Sequence, residues 1–69
     1  MSEKFFSKEF AYLFSKELDL MMEEYVDEME RIGYTYDHFN ILSTETSTRE
    51  DGVILNHVRV IFSFKCNEE

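Results

Sequence analysis

Ser47-Thr48-Arg49-Glu50-Asp51-Gly52-Val53 is the stretch whose reading decides the fold. Asp-Gly between two runs of alternating apolar residues is a strong hairpin signal, because a two-residue type I′ turn needs positive φ at both central positions. Before it, Phe39 and Ile41 alternate with His38, Asn40 and Leu42; after it, Val58, Val60, Phe62 and Phe64 alternate with His57, Arg59, Ile61, Ser63 and Lys65. A turn at Asp51-Gly52 places Glu50 opposite Val53, Phe39 opposite Phe64, Ile41 opposite Phe62, Ser43 opposite Val60 and Glu45 opposite Val58. One face then gathers Phe39, Ile41, Val58, Val60, Phe62 and Phe64. The other gathers His38, Asn40, Thr44, Thr46, His57, Arg59 and Lys65 with a single apolar pair, Leu42–Ile61. Leu42, Ile61 and Arg59 are therefore the candidates for a contact on that second face. The predicted strands run over about 36–47 and 53–65.

Upstream of Gly33 the period changes. Phe10, Phe14, Leu18, Met21, Tyr25, Met29 and Ile32 recur at steps of three and four, the stripe of an amphipathic helix. Ser7 is a suitable N-cap and Gly33 a suitable left-handed C-terminal stop, so the pattern predicts one helix over about 7–32. An alternative reading makes Glu9-Phe10-Ala11-Tyr12-Leu13-Phe14 a short strand, with Ser15 capping a shorter helix. The unbroken stripe through Ser15–Glu17 favours the single helix. The expected fold is α+β, one domain over 1–69: a long amphipathic helix on an antiparallel hairpin, completed into a larger sheet by dimerisation.

The case for a homodimer or higher oligomer rests on size and edges. A chain of 69 residues buries only about 60% of the surface its unfolded form exposes. Cys66 is the single cysteine, so no disulfide within the chain can compensate. A lone hairpin also leaves both strands with unpaired backbone groups, which native proteins cap or pair.

The net charge is −8, yet 43% of residues are hydrophobic and 16% aromatic, with no proline and two glycines, which is too apolar for a disordered chain. Glu17, Asp19, Glu23, Glu24, Asp27, Glu28 and Glu30 place seven carboxylates within fourteen residues and no basic residue among them. Glu17, Glu23, Glu24, Asp27, Glu28 and Glu30 are the predicted partner-binding residues, and the partner they suit is a basic protein. Nucleic acid and anionic membrane are disfavoured partners, being negative themselves.

Catalysis and cofactors find little footing. His38, His57 and Cys66 are the strong nitrogen or sulfur ligands, and the hairpin register does not converge them on a tetrahedral site. Ser43, Ser47 and Ser63 have no positioned base in that register, and no glycine-rich phosphate loop exists. No catalytic residue, metal or cofactor is expected. Met1-Ser2-Glu3-Lys4 lacks a secretory signal's basic start and apolar run, and the lone cysteine suits a reducing compartment, so a cytoplasmic location is expected.

A short, acidic, cysteine-poor and aromatic-rich chain is similar in kind to small phage-encoded inhibitors of host enzymes, including anti-defence proteins and DNA mimics. That resemblance is one of type and carries over no site residue. It implies a non-enzymatic homodimeric inhibitor or decoy that binds a basic surface of a host protein. A helix on a hairpin is also similar to small ligand-storing oligomers, which have an additional first strand. That second resemblance implies a ligand-binding or structural oligomer with its site between subunits, built from aromatics such as Tyr34, Tyr36 and Phe39.

Overall fold

The computed structural model describes residues 2–66. It contains strand β1 (Ser2–Tyr12), helix α1 (Ser15–Arg31), strand β2 (Tyr34–Thr48) and strand β3 (Ile54–Cys66). The strands form one antiparallel sheet in the order β1-β3-β2, and α1 packs on one of its faces. This overturns the expected two-stranded sheet with a long helix. The third strand comes from the chain's own N-terminal residues, not from a second copy.

Eight residues of the expected helix, 7–14, belong to β1 or to the Leu13-Phe14 connection. β1 pairs with β3 without interruption from Ser2↔Cys66 to Tyr12↔Asn56, with Phe6 opposite Phe62 and Phe10 opposite Val58. Ser7, the expected N-cap, lies opposite Ile61 within the sheet. The helix begins one residue after Phe14, and its cap is supplied from inside. The Glu17 carboxylate accepts the backbone N–H groups of Leu13 (2.9 Å) and Phe14 (3.2 Å), satisfying donors beyond the helix start. These two bonds hold the Glu17 carboxyl below its ordinary range. At the other end Gly33 takes φ +112°, and its N–H donates to the Glu30 carbonyl at 3.2 Å, closing the helix and turning the chain into β2.

The β2–β3 connection has three residues, not two. Gly52 N–H donates to the Arg49 carbonyl (3.0 Å) and Arg49 N–H to the Val53 carbonyl (2.8 Å), with Glu50-Asp51-Gly52 between. Gly52 alone takes positive φ (+86°), which rules out type I′ and gives a type I turn followed by a left-handed glycine. Asp51 secures it by accepting the Val53 N–H at 3.1 Å and the Arg49 guanidinium at 3.2 Å.

The extra turn residue slips the register by one, which by itself would exchange the faces of β2. A bulge at Leu42 undoes it for His38–Ile41, and a second at Asp37 exchanges the faces again for Tyr34–Tyr36. Ser43 and Glu45 therefore face Arg59 and His57, while Thr44 takes the place opposite Val58. Phe39 and Ile41 return to the apolar face opposite Phe62 and Val60, and Tyr36 joins them opposite Phe64. The expected Leu42–Ile61 pair does not form: Leu42 is the bulge and Ile61 faces Asn40.

The core is small. Phe10, Val58, Val60, Phe62 and Phe64 are buried, with Leu18, Met21, Met22, Tyr25, Val26 and Met29 of the helix packed against them. A 17-residue helix reaches about 26 Å, whereas the 15 residues of β2 reach about 50 Å. The helix thus covers about half of the sheet, and the hairpin projects past it, giving overall dimensions of 52 × 19 × 14 Å.

A candidate docking surface beside the helix

The helix inserts its apolar stripe between β1 and β2, so its carboxylates separate into two rows. Glu24 and Glu28 border a groove against β1, with Lys8, Glu9 and Phe10 on the opposite wall. Asp19, Glu23 and Asp27 border a second groove of about 390 Å³ against β2, floored by Met22, Val26 and Phe62 and walled by Tyr36 and Phe39. Glu30 is exposed near the helix end, and Glu17 is engaged in the cap. The seven acidic side chains expected to form one surface therefore divide into a cap, two flanking rows and an isolated residue.

The two rows differ in their surroundings. On the β1 side Lys8 stands on the apolar face of its strand, with its ammonium 5.3 Å from the centroid of the Tyr25 ring, at the edge of the Glu24–Glu28 groove. β2 has no lysine or arginine over its whole length; its ionisable side chains are Asp37, His38 and Glu45 apart from the tyrosines. Among the described residues none of Asp19, Glu23 and Asp27 makes an ion pair. A row of three carboxylates thus lies beside an apolar trough with no internal cation. Burial, and then the neighbouring Asp37 carboxylate, push the Tyr36 hydroxyl above the ordinary tyrosine range; burial followed by Glu28 does the same to Tyr25. Both phenols stay protonated near neutral pH and add no further charge.

The opposite sheet face holds a polar cluster that the expected register could not produce. Ser47 Oγ lies 2.9 Å from His57 Nε2. The Glu9 carboxylate lies 3.8 Å from His57 Nδ1 and 3.6 Å from Arg59 Nη2. The three-residue turn brings Ser47 within reach of His57, which corrects the expectation that no serine has a base. The order serine, histidine, carboxylate is that of a hydrolase relay, but 3.8 Å is too long for the hydrogen bond that orients the imidazole in such a relay. Arg59 and the bulged Leu42 are exposed and Ile61 is half-buried. His38 pairs with Asp37 at 3.1 Å, away from His57, and the described residues contain no group of three potential metal ligands.

No helix among the described residues is long and apolar enough to cross a membrane. No family model, curated protein or solved structure matches the chain. The sequence signal that could have located the groove was present: the i, i+4 series Asp19, Glu23, Asp27, together with the absence of lysine and arginine from Tyr34 to Thr48.

Proposed function

We propose that this chain is a non-catalytic acidic interaction protein that docks a basic surface of another protein through the carboxylates of α1. The observation that carries the reading is the row Asp19, Glu23 and Asp27, exposed, without ion pairs among the described residues, and set beside an apolar groove. Exposed like charges at i, i+4 destabilise a helix modestly, and a cationic partner would turn that repulsion into attraction and speed association. The test replaces Glu23, Glu24, Asp27 and Glu28 by Gln, Gln, Asn and Gln, followed by affinity capture from lysate at low and high salt. The reading expects capture by the native chain to be lost at high salt and lost in the variant with its circular dichroism unchanged. Full capture by the variant would refute it.

A second reading, an oligomer with a ligand held between subunits, draws support from the part of the hairpin beyond the helix. Ile41, Leu42 and Ile54 are exposed there, and the chain has the additional first strand that such assemblies require. Light scattering at micromolar concentration tests it: the reading expects at least twice the chain mass of 8.3 kDa, and a strict monomer would remove it.

A further inference from the structure

Resting on the docking reading above, we infer that the β2 edge and its acidic groove form a single receptor for an extended basic segment of another protein, which adds to the sheet as a fourth strand. Among the described residues β2 pairs with β3 alone, so from Tyr36 onward its other side presents backbone N–H and C=O groups that no described strand takes, with bulges at Asp37 and Leu42 along it. The groove opens along this edge, between the helix row and Phe39. An added strand would obtain its main-chain bonds from the ladder and direct alternate side chains into the groove, the usual division between affinity and specificity in strand addition.

The spacing selects the sequence of the guest. Residues four apart on a helix are about 6.0 Å apart along its axis. Residues two apart on a strand are about 6.6 Å apart. Asp19, Glu23 and Asp27 therefore have nearly the axial spacing of three cations at alternate positions of an extended chain. Lysine and arginine suit these positions for a second reason: their methylene stems can lie on the exposed Phe39 ring while the charged head reaches a carboxylate. The guest is a segment with Lys or Arg at every second residue.

Charge also argues against a second copy as the occupant. A two-fold pairing of β2 with β2 would put both helices on the same side of the joined sheet, with their Asp19–Glu23–Asp27 rows facing each other and no lysine or arginine on either strand. The β1 edge lacks this selectivity, because it carries Lys4 and Lys8 alongside Glu3 and Glu9.

Fluorescence anisotropy with two labelled peptides of identical composition tests the inference. One has lysine at every second position among threonine and valine, and the other has its lysines in one block. The alternating peptide should bind, weaken steeply with salt, and lose roughly tenfold or more in affinity when N-methylated at every second residue or when the protein carries D19N/E23Q/D27N. E24Q/E28Q/E30Q, which removes the same number of charges elsewhere on the helix, should leave affinity within about twofold. Equal losses in the two triple variants, or equal binding of the block or N-methylated peptide, would overturn the inference and leave the acidic docking reading standing. Absence of peptide binding overturns the inference, and the lysate capture then decides the broader reading alone. A dimer that the alternating peptide dissociates and that Ile41→Lys abolishes would identify a second copy as the occupant and overturn the inference as well.

Discussion

Replacing Phe62 by alanine tests the centre of the fold most directly. Phe62 is fully buried on the middle strand and touches four rings: Tyr25 at 4.8 Å and Phe10, Phe39 and Phe64 each at 6.2 Å between centroids. Those partners come from all three strands and the helix, so no single element can collapse into the space left behind. Burial of a phenyl ring contributes about 1.5–3 kcal/mol and each well-placed aromatic pair about 0.5–1.5 kcal/mol more. Core Phe→Ala losses run at about 3–5 kcal/mol, and the upper half of that range is expected here. At about 0.05–0.15 kcal/mol per residue the whole domain has roughly 3–10 kcal/mol to lose. Urea unfolding followed by far-ultraviolet circular dichroism is the assay. Phe62→Ala should show little or no folded baseline, and Phe62→Leu should keep a cooperative transition at a loss of about 1–2 kcal/mol. Phe5→Ala is the control: the same chemistry on the other sheet face, with Phe5 59% exposed, should change stability by about 0.5 kcal/mol or less. Equal losses at Phe5 and Phe62 would refute both the assignment of faces and the pairing of β1 with β3.

Four further outcomes are expected. Gly33→Ala should cost about 1–2 kcal/mol in thermal or urea unfolding, because φ is +112° while nothing crowds the added methyl group, so the loss is conformational. Glu17→Gln should flatten the acid limb of the stability–pH curve: with its folded pKa depressed, Glu17 contributes above the unfolded carboxylate pKa and loses that contribution as pH falls through the folded value. Tyr25 and Tyr36 act in the opposite direction. Their raised values make stability full below the unfolded tyrosine pKa and decline as pH rises through the folded values, and Tyr36→Phe should lessen that alkaline loss. Ser47→Ala should leave the slow hydrolysis of p-nitrophenyl acetate unchanged, and a loss confined to this variant would reveal a working relay at Ser47–His57–Glu9.

Much of the hairpin was legible in the sequence, while the N-terminal third was not, for a definable reason. Phe6, Phe10, Phe14 and Leu18 are spaced by four, and a step of four keeps a residue on the same side of both a helix and a strand. Only the intervening even positions separate the two, and there Lys8 hides the strand. It interrupts the apolar alternation in sequence, yet its ammonium rests over the Tyr25 ring on the buried face. At the turn, the Asp-Gly signal identified the hairpin but not the loop length, because Asp51 can spend its carboxylate on the Val53 N–H and avoid the positive φ that type I′ demands. That one-residue change altered the pairing along β2. Phe39, Ile41, Val58, Val60, Phe62 and Phe64 still share a face, since the bulge at Leu42 returns Phe39 and Ile41 to the core side and the bulge at Asp37 adds Tyr36 to it.

The proposed docking surface owes its asymmetry to the same topology. One helix flanked by two strands exposes two acidic rows, and the sequence equips only one flanking strand with a lysine at the groove. On the unneutralised side, Asp19–Glu23 and Glu23–Asp27 are like-charge neighbours at i, i+4, each destabilising by about 0.2–0.5 kcal/mol. In a domain with roughly 3–10 kcal/mol in total, that repulsion is a noticeable fraction of the stability, and lysine at Glu23 would remove it. Replacing Thr44 on β2 by lysine, at the inner-face position opposite Val58, places a cation beyond the groove and should leave guest binding nearly intact. Lysine in place of Phe39 puts the cation at the groove wall itself. It should stabilise the isolated chain less than the loss of apolar contact costs, and it should abolish capture of a basic segment. A Phe39→Lys chain that still captures its partner with the native salt dependence would locate binding away from the β2 side of the helix.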